Sequence, residues 1–137
     1  MRKRILRPQI TIAQSEHRQL LALAAGGSGA MSPAADSLMA EIERARIVPD
    51  AKLPQDIVRM GSRVQYRTDR DDLVSVELVY PVQADISRGR VSVLTPVGAA
   101  LIGLRTGQSI TWETRDGRNN VLTVLSVIHL ADVPEDA

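Results

Sequence analysis

Residues 91–107, VSVLTPVGAALIGLRTG, constrain this chain more than any other stretch. Val91 and Val93 alternate as a short strand and run straight into Thr95-Pro96. A threonine hydroxyl at that point can accept a hydrogen bond from the first free helical N–H groups. Pro96, which has no N–H, suits the first helical position. An apolar turn of helix follows, and Gly103 supplies its stop. The segment therefore predicts a strand that turns a corner directly into a short helix. Such a corner needs a sheet and a helix packed against each other, and with the antiparallel strands read below the fold class is α+β.

The surrounding pattern fits that class. Val64, Tyr66 and Thr68 alternate with Arg63, Gln65 and Arg67, a polar turn spans Asp69–Asp72, and Val74, Val76, Leu78 and Tyr80 alternate again. Ser87-Arg88-Gly89 turns the chain into the Val91 strand. Beyond the corner, Ile110 and Trp112 mark a strand, Asp116-Gly117 a turn, and residues 121–128 a last strand rich in β-branched side chains. This reads as an antiparallel meander of about five strands with one helix inserted before the last two.

The first third has a different period. Ile10 and Ile12 suggest a short extended lead-in. Ser15 is placed to cap a helix carrying Leu20, Leu21, Leu23 and Ala24. Gly26, Gly27, Ser28 and Gly29 interrupt it. Ser32-Pro33 opens a second helix whose Ala35, Leu38, Met39, Ile42 and Ala45 keep helical spacing to about Arg46. Glu41 and Arg44 on neighbouring turns predict a weak surface pair. Two helices joined this way make a short antiparallel hairpin (a coiled coil), or two separate helices packed on one core. The expected division is a lead-in and hairpin over 1–48, a Pro49/Pro54 linker over 49–56, a β-rich unit over 57–130 and a tail over 131–137.

Composition excludes more than it selects. With 137 residues, 44% hydrophobic and 24% charged, the chain matches an ordinary soluble protein with one compact unit and an appendage. A formal net charge of +1 gives no global field toward nucleic acid or membrane. No run approaches the roughly 18 apolar residues of a membrane span, and the start lacks the apolar core of a secretion signal. Cysteine is absent, which removes disulfides and thiol chemistry and fits a cytoplasmic setting. Phenylalanine is absent too. Only Tyr66, Tyr80 and Trp112 could stack on a base or line a pocket.

Catalytic and cofactor motifs are missing. His17 and His129 lie far apart without a chelating spacing, so no metal site is expected. Gly26-Gly27-Ser28-Gly29 lacks the Lys-Ser/Thr of a phosphate-binding loop and reads as a hairpin tip. Asp71-Asp72 in a turn reads as solvated. No serine has a base assigned to it. No catalytic residue, cofactor or metal is expected.

Beside this reading stands a resemblance. The block VSVLTPVGAALIGLRTGQSITWE, residues 91–113, is similar to the most recognisable part of the bacterial Gre transcript-cleavage factors and of their shorter relatives, the Rnk regulators of nucleoside diphosphate kinase. Residues 56–64, DIVRMGSRV, resemble the segment that opens the Rnk C-terminal region, and Leu78-Val79-Tyr80-Pro81 resembles its second strand and exit. The resemblance implies an FKBP-like C-terminal unit that docks on RNA polymerase at the rim of its secondary channel, with the hairpin reaching toward that channel. It implies Ser92 as a strand residue on the polymerase-facing surface, with Leu94, Thr95 and Pro96 beside it as the docking edge. Arg88 and Arg90 flank that edge and suit an acidic partner surface. Thr95 and Pro96 also make the corner, and Ser92 can simply point outward from a strand.

In Gre factors carboxylates at the hairpin tip serve RNA cleavage through the polymerase magnesium. Residues 26–31 here contain no Asp or Glu, and helices of about 10–14 residues span only roughly 15–20 Å. The departure favours a non-catalytic regulator, cytoplasmic and monomeric, that touches nucleic acid only through polymerase. Other readings are an FKBP-like prolyl isomerase, which too few aromatics disfavour, and an interaction module with a different partner. Any influence on nucleoside diphosphate kinase is then indirect.

Overall fold

Two short strands bracket the helical part. In the computed structural model, which describes residues 5–26, 33–114 and 116–129, β1 (Thr11–Ala13) pairs in parallel with β2 (Arg46–Val48). Between them in sequence come α1 (Gln14–Gly26) and α2 (Pro33–Arg44), which pack on each other. Gly27, Ser28 and Gly29 of the expected tip, and the expected cap Ser32, lie outside the described residues.

Three local expectations change. Helix α2 stops at Arg44 rather than Arg46, because the Arg46 N–H donates to the Ile10 carbonyl (2.9 Å) and Ile47 pairs with Ile12. Ser15 is not the cap of α1 but lies in its first turn. The cap comes from Asp50, which accepts the Ser15 N–H at 3.0 Å and the Ser15 hydroxyl at 2.5 Å. Glu41 and Arg44 are not a surface pair either. Glu41 is buried and takes two Arg44 hydrogen bonds (2.6 and 3.1 Å), while Arg44 Nη1 donates to the Pro8 carbonyl. A pair withdrawn from water in this way resists the loss of either partner.

The other sheet has five strands: β3 (Ser62–Thr68), β4 (Leu73–Val79), β5 (Arg90–Ser92), β6 (Ser109–Glu113) and β7 (Asn119–His129). Their order is β5-β4-β3-β7-β6, so the sheet is no meander, and β5 runs parallel to β4. The cause is the connection over 80–89. It doubles back beside the second half of β4 through turns at Pro81–Gln83 and Ile86–Arg88, so that β5 starts opposite Glu77, whose N–H donates to Gly89 O at 2.8 Å. The other pairings are antiparallel, with a register shift between Gln65 and Tyr66 where β3 meets β7. The free edge of β6 is covered by the N-terminal segment, since Thr111 N–H donates to Leu6 O and Leu6 N–H to Thr111 Oγ1. Covered edges do not template pairing with other chains.

Helix α3 (Pro96–Leu101) precedes β6 and β7, as the sequence predicts. Ile10, Ile12, Leu20, Leu38 and Ile42 share one buried cluster with Val64, Leu78, Leu101, Leu104 and Leu122. Each such side chain, fully removed from water, contributes roughly 1.5–3 kcal/mol. Helices and sheet thus hold one core, and the α+β class stands.

Candidate docking surface

The corner is built from backbone and hydroxyl groups that satisfy one another. Thr95 Oγ1 accepts the Gly98 N–H at 3.1 Å, and its hydroxyl donates to the Ser92 carbonyl at 2.7 Å. Pro96 occupies the first turn of α3, where no N–H is needed. Gly103 has φ +79°, and a Cβ there would lie 3.0 Å from both Ile10 Cβ and the Thr11 carbonyl. Its backbone N–H donates to Val58 O, and its carbonyl accepts from Thr11 N–H, so the stop of α3 also fastens β1.

Ser92 differs from its expected outward orientation. It is only 8% exposed, and its Oγ accepts the Leu94 N–H at 3.0 Å. The hydroxyl is consumed in turning the strand. Leu94, Thr95 and Pro96 are half-buried around it. Arg88 lies on the second 3-10 turn and is 71% exposed, 3.7 Å from Asp85. Arg90 lies 3.7 Å from Glu77. Both guanidiniums are thus partly neutralised by neighbours while still reaching solvent.

The most exposed apolar groups of the described residues stand in the same loop. Val82 is 92% and Ile86 89% exposed, one on each of the two turns between β4 and β5. A loop with two large aliphatic side chains in water, framed by Pro81, Asp85 and Arg88, has the make-up of an interaction surface. Sequence reasoning missed both. The available signal was an aliphatic pair in the turn-rich run 80–89, following neither a period of two nor a helical period.

At the other end of the β4 exit, Tyr80 donates its hydroxyl to Gln19 Oε1 (2.5 Å), linking α1 to the sheet. Burial, reinforced by the charge of Glu16, holds the Tyr80 phenol above its usual range. Glu16 accepts the Met60 N–H at 3.2 Å. Burial pushes its carboxyl up, more than that hydrogen bond and Arg59 pull it down. The carboxylates of Glu16 and Glu41 are therefore engaged within the molecule, and Asp36 sits in the first turn of α2.

Neither histidine joins a metal cluster, and the described residues contain no group of three or more His, Asp or Glu placed to hold a cation. The His129 ring lies 2.8 Å from both Ser62 Oγ and the Gln55 carbonyl. A carbonyl only accepts, so Nε2 carries a proton. The Ser62 hydroxyl already accepts the Arg59 N–H and is itself buried, which gives this pair a structural role.

Residues 53–129 match the family model for the C-terminal part of transcription elongation factors GreA/GreB, and residues 8–48 match the Rnk N-terminus. The chain is 42% identical over 132 residues to the Regulator of nucleoside diphosphate kinase of Escherichia coli K12, covering 96% of this chain and 95% of that one. A transcription elongation factor GreA from Thermodesulfovibrio yellowstonii is 35% identical over 75 residues, 54% of this chain and 48% of its own length. Among solved structures, a GreA/GreB-type elongation factor from Nitrosomonas europaea superposes with a TM-score of 0.68 at 32% identity, over 88% of this chain and 98% of that one. The chain belongs to the family of regulators of nucleoside diphosphate kinase, with an Rnk-type N-terminal part and a GreA/GreB-type C-terminal part.

Proposed function

We propose that this protein is a non-catalytic cytoplasmic regulator of transcription that docks on core RNA polymerase near its secondary channel and competes there with Gre-type factors. The observation that carries this reading is a GreA/GreB-type C-terminal part joined to a hairpin whose connecting residues 26–31 hold no carboxylate. Without acids at that point the hairpin has no means of steadying a second metal ion or an attacking water. It can occupy space that a cleavage factor needs.

In this reading residues 57–130 form an FKBP-like unit whose docking edge runs from Arg88 and Arg90 through Leu94, Thr95 and Pro96. Val82 and Ile86 supply its apolar contact. Ser92 supports the edge from beneath, as its burial requires. The coiled-coil hairpin, 12 and 13 residues to a helix, spans about 18–20 Å at 1.5 Å per residue and projects toward the channel as a monomer. An influence on nucleoside diphosphate kinase follows through transcription.

The test uses purified core polymerase halted with backtracked RNA. Alone, the protein leaves the transcript uncut. Added against a cleavage-competent Gre factor, it reduces cleavage in a dose-dependent way. Unchanged Gre activity, with no co-elution with polymerase at micromolar concentration, rejects the proposal and directs the search to another partner.

A further inference from the structure

The edge of β6 is filled by the chain's own early residues, and it is filled loosely. Val124 N–H donates to Gln108 O and Thr114 N–H to Arg118 O. The even-numbered residues of β6 therefore bond toward β7, and Ser109, Thr111 and Glu113 present their backbone groups outward. Thr111 N–H donates to Leu6 O at 2.9 Å, while Leu6 N–H goes to the Thr111 hydroxyl at 2.8 Å instead of a backbone carbonyl. Gln9 O accepts from the Gln108 side chain, so the run 5–9 lies antiparallel to β6. Continuing that register brings Pro8 opposite Ser109. Pro8 has no N–H to give, and its carbonyl takes Arg44 Nη1. The ladder ends after a single backbone bond.

Exposure and charge mark residues 5–8 as a strap rather than a sixth strand. Ile5 is 51% exposed, Leu6 is half-buried and Arg7 is exposed. Arg7 stands 3.8 Å from Glu41 Oε2, a long ion pair, whereas the other Glu41 oxygen takes both Arg44 bonds. Ile10, just behind the strap, is fully buried and anchors the chain. Segments with few buried contacts and solvent-facing hydrogen bonds open at a fraction of the cost of global unfolding. A strand edge that such a segment covers is available whenever the segment lifts.

We propose that residues 5–8 are a displaceable strap over a strand-addition site, and that the site takes an extended segment of a partner protein with the strap's own chemistry, an aliphatic residue followed by a cation. The segment enters antiparallel to β6. Its aliphatic residue takes the place of Leu6, a carbonyl accepts the Thr111 N–H, and its cation faces Glu41 Oε2. A segment without proline also pairs with Ser109, which Pro8 prevents the strap from doing, so the partner gains main-chain bonds that the strap lacks. An acid in place of the cation would meet Glu41 with like charge, so the site discriminates by sign. The strap competes from within the same molecule at a high effective concentration and keeps the site closed until such a segment arrives. The assignment does not rest on the polymerase reading.

The Thr111 amide reports on the strap, because its N–H bonds to Leu6 while those of Ile110 and Trp112 point into the sheet. In the ¹⁵N-labelled full chain, hydrogen exchange at Thr111 should run at least about tenfold faster than at Ile110 and Trp112. Arg7→Glu sets like charge against Glu41 and should speed Thr111 exchange by about a further threefold, with Ile110 and Trp112 unchanged. Acetyl-Val-Leu-Arg-Val-amide, added to that variant at millimolar concentration, should slow Thr111 exchange saturably. Acetyl-Val-Leu-Glu-Val-amide should bind about threefold more weakly, the size of one exposed ion pair. Thr111 exchanging in step with Ile110 and Trp112 overturns the proposal, since the strap then leaves only when the sheet unfolds. No saturable slowing by either peptide, or equal slowing by both, overturns it as well. So does Thr111 protection in Arg7→Glu that rises with protein concentration alone, because a second copy then fills the edge.

Discussion

The corner at Ser92–Gly103 and the loop at Pro81–Arg88 lie next to each other in the chain and dispose of their side chains in opposite ways. In the corner the hydroxyls are spent on the backbone and the small helix residues are turned inward, while Leu94, Thr95 and Pro96 stay half-buried. The Ser92 hydroxyl, the Thr95 hydroxyl and the first N–H groups of α3 satisfy one another, and Ala99, Ala100 and Leu101 are buried. In the loop the backbone is closed by its own turns, Asp85 accepts from Ser87, and the two large aliphatic side chains are left in water. The polar groups of a recognisable motif can thus be spent on the fold itself, while a stretch without a motif leaves its large side chains in water.

The strongest way to break the comparison is Gly98→Ala. A Cβ at this position would lie 2.1 Å from the Ser92 carbonyl oxygen, 2.9 Å from Thr95 Oγ1 and 2.9 Å from Val93 Cα. Two of those atoms are backbone, so the strand and helix must separate to admit one methyl group. Forcing extra volume into such a contact costs about 3 kcal/mol, at the upper end for single overpacking changes. Urea denaturation should show a lower midpoint with an unchanged slope. A loss under about 1 kcal/mol would mean that the corner opens easily and that its tight closure is not what holds β5 to α3.

The inverse substitution sharpens the other side. Val82→Asp with Ile86→Asp replaces the two exposed aliphatics by charges where nothing packs on them. Stability should stay within about 0.5 kcal/mol of the parent, as for surface changes remote from special contacts. Affinity for core polymerase should fall about tenfold or more if these residues anchor the contact. Loss of stability without loss of binding would reverse the assignment of roles between loop and corner.

The corner was legible because its logic is local. Thr95 and Pro96 act on neighbours within a few residues, a short window contains both donor and acceptor, and the positive φ of Gly103 is a local turn signal even though its N–H and carbonyl bond to Val58 and Thr11. The strands with period two and the helix inserted before β6 were readable for the same reason. What the sequence concealed depends on distant partners. Asp50 caps α1 from 35 residues away, Arg44 reaches Pro8, and Ile47 pairs with Ile12. None of these has a spacing rule. The parallel β5 was hidden because the run 80–89 carries no period from which to read a direction. Ser92 illustrates the limit on the candidate site. Its position in a strand was visible, but the turn it helps to make draws its hydroxyl inward.

The smallest expected effect separates the corner from the cleft at the start of α1, lined by Ser15, Glu16, Asp50 and Met60. Residues 92–103 contain no titratable side chain, so the cost of Gly98→Ala should be flat from neutral to acid pH. Two of the cleft's carboxyls, Glu16 and Asp50, are pushed in opposite directions. Glu16 is raised, mainly by burial, so in the range just above the ordinary glutamate value the folded state binds more protons than the unfolded one. Stability there falls as pH rises through that window and is regained on acidification. Asp50 is lowered, chiefly by the Ser15 hydroxyl and then by the Ser15 N–H, so its contribution is present above the ordinary aspartate value and lost as pH falls through the depressed folded one. A stability profile from neutral pH downward should therefore rise slightly before it drops. Glu16→Gln keeps an acceptor for the Met60 N–H and should remove the rise, leaving the acid limb in place. Asp50→Asn should soften the acid limb. It should also shrink the rise slightly, because Asp50's charge helps to push the Glu16 carboxyl up and is the last and smallest influence on it. A parent profile that falls steadily, with no difference in Glu16→Gln, would mean that Glu16 is as well solvated in the folded chain as in the unfolded one.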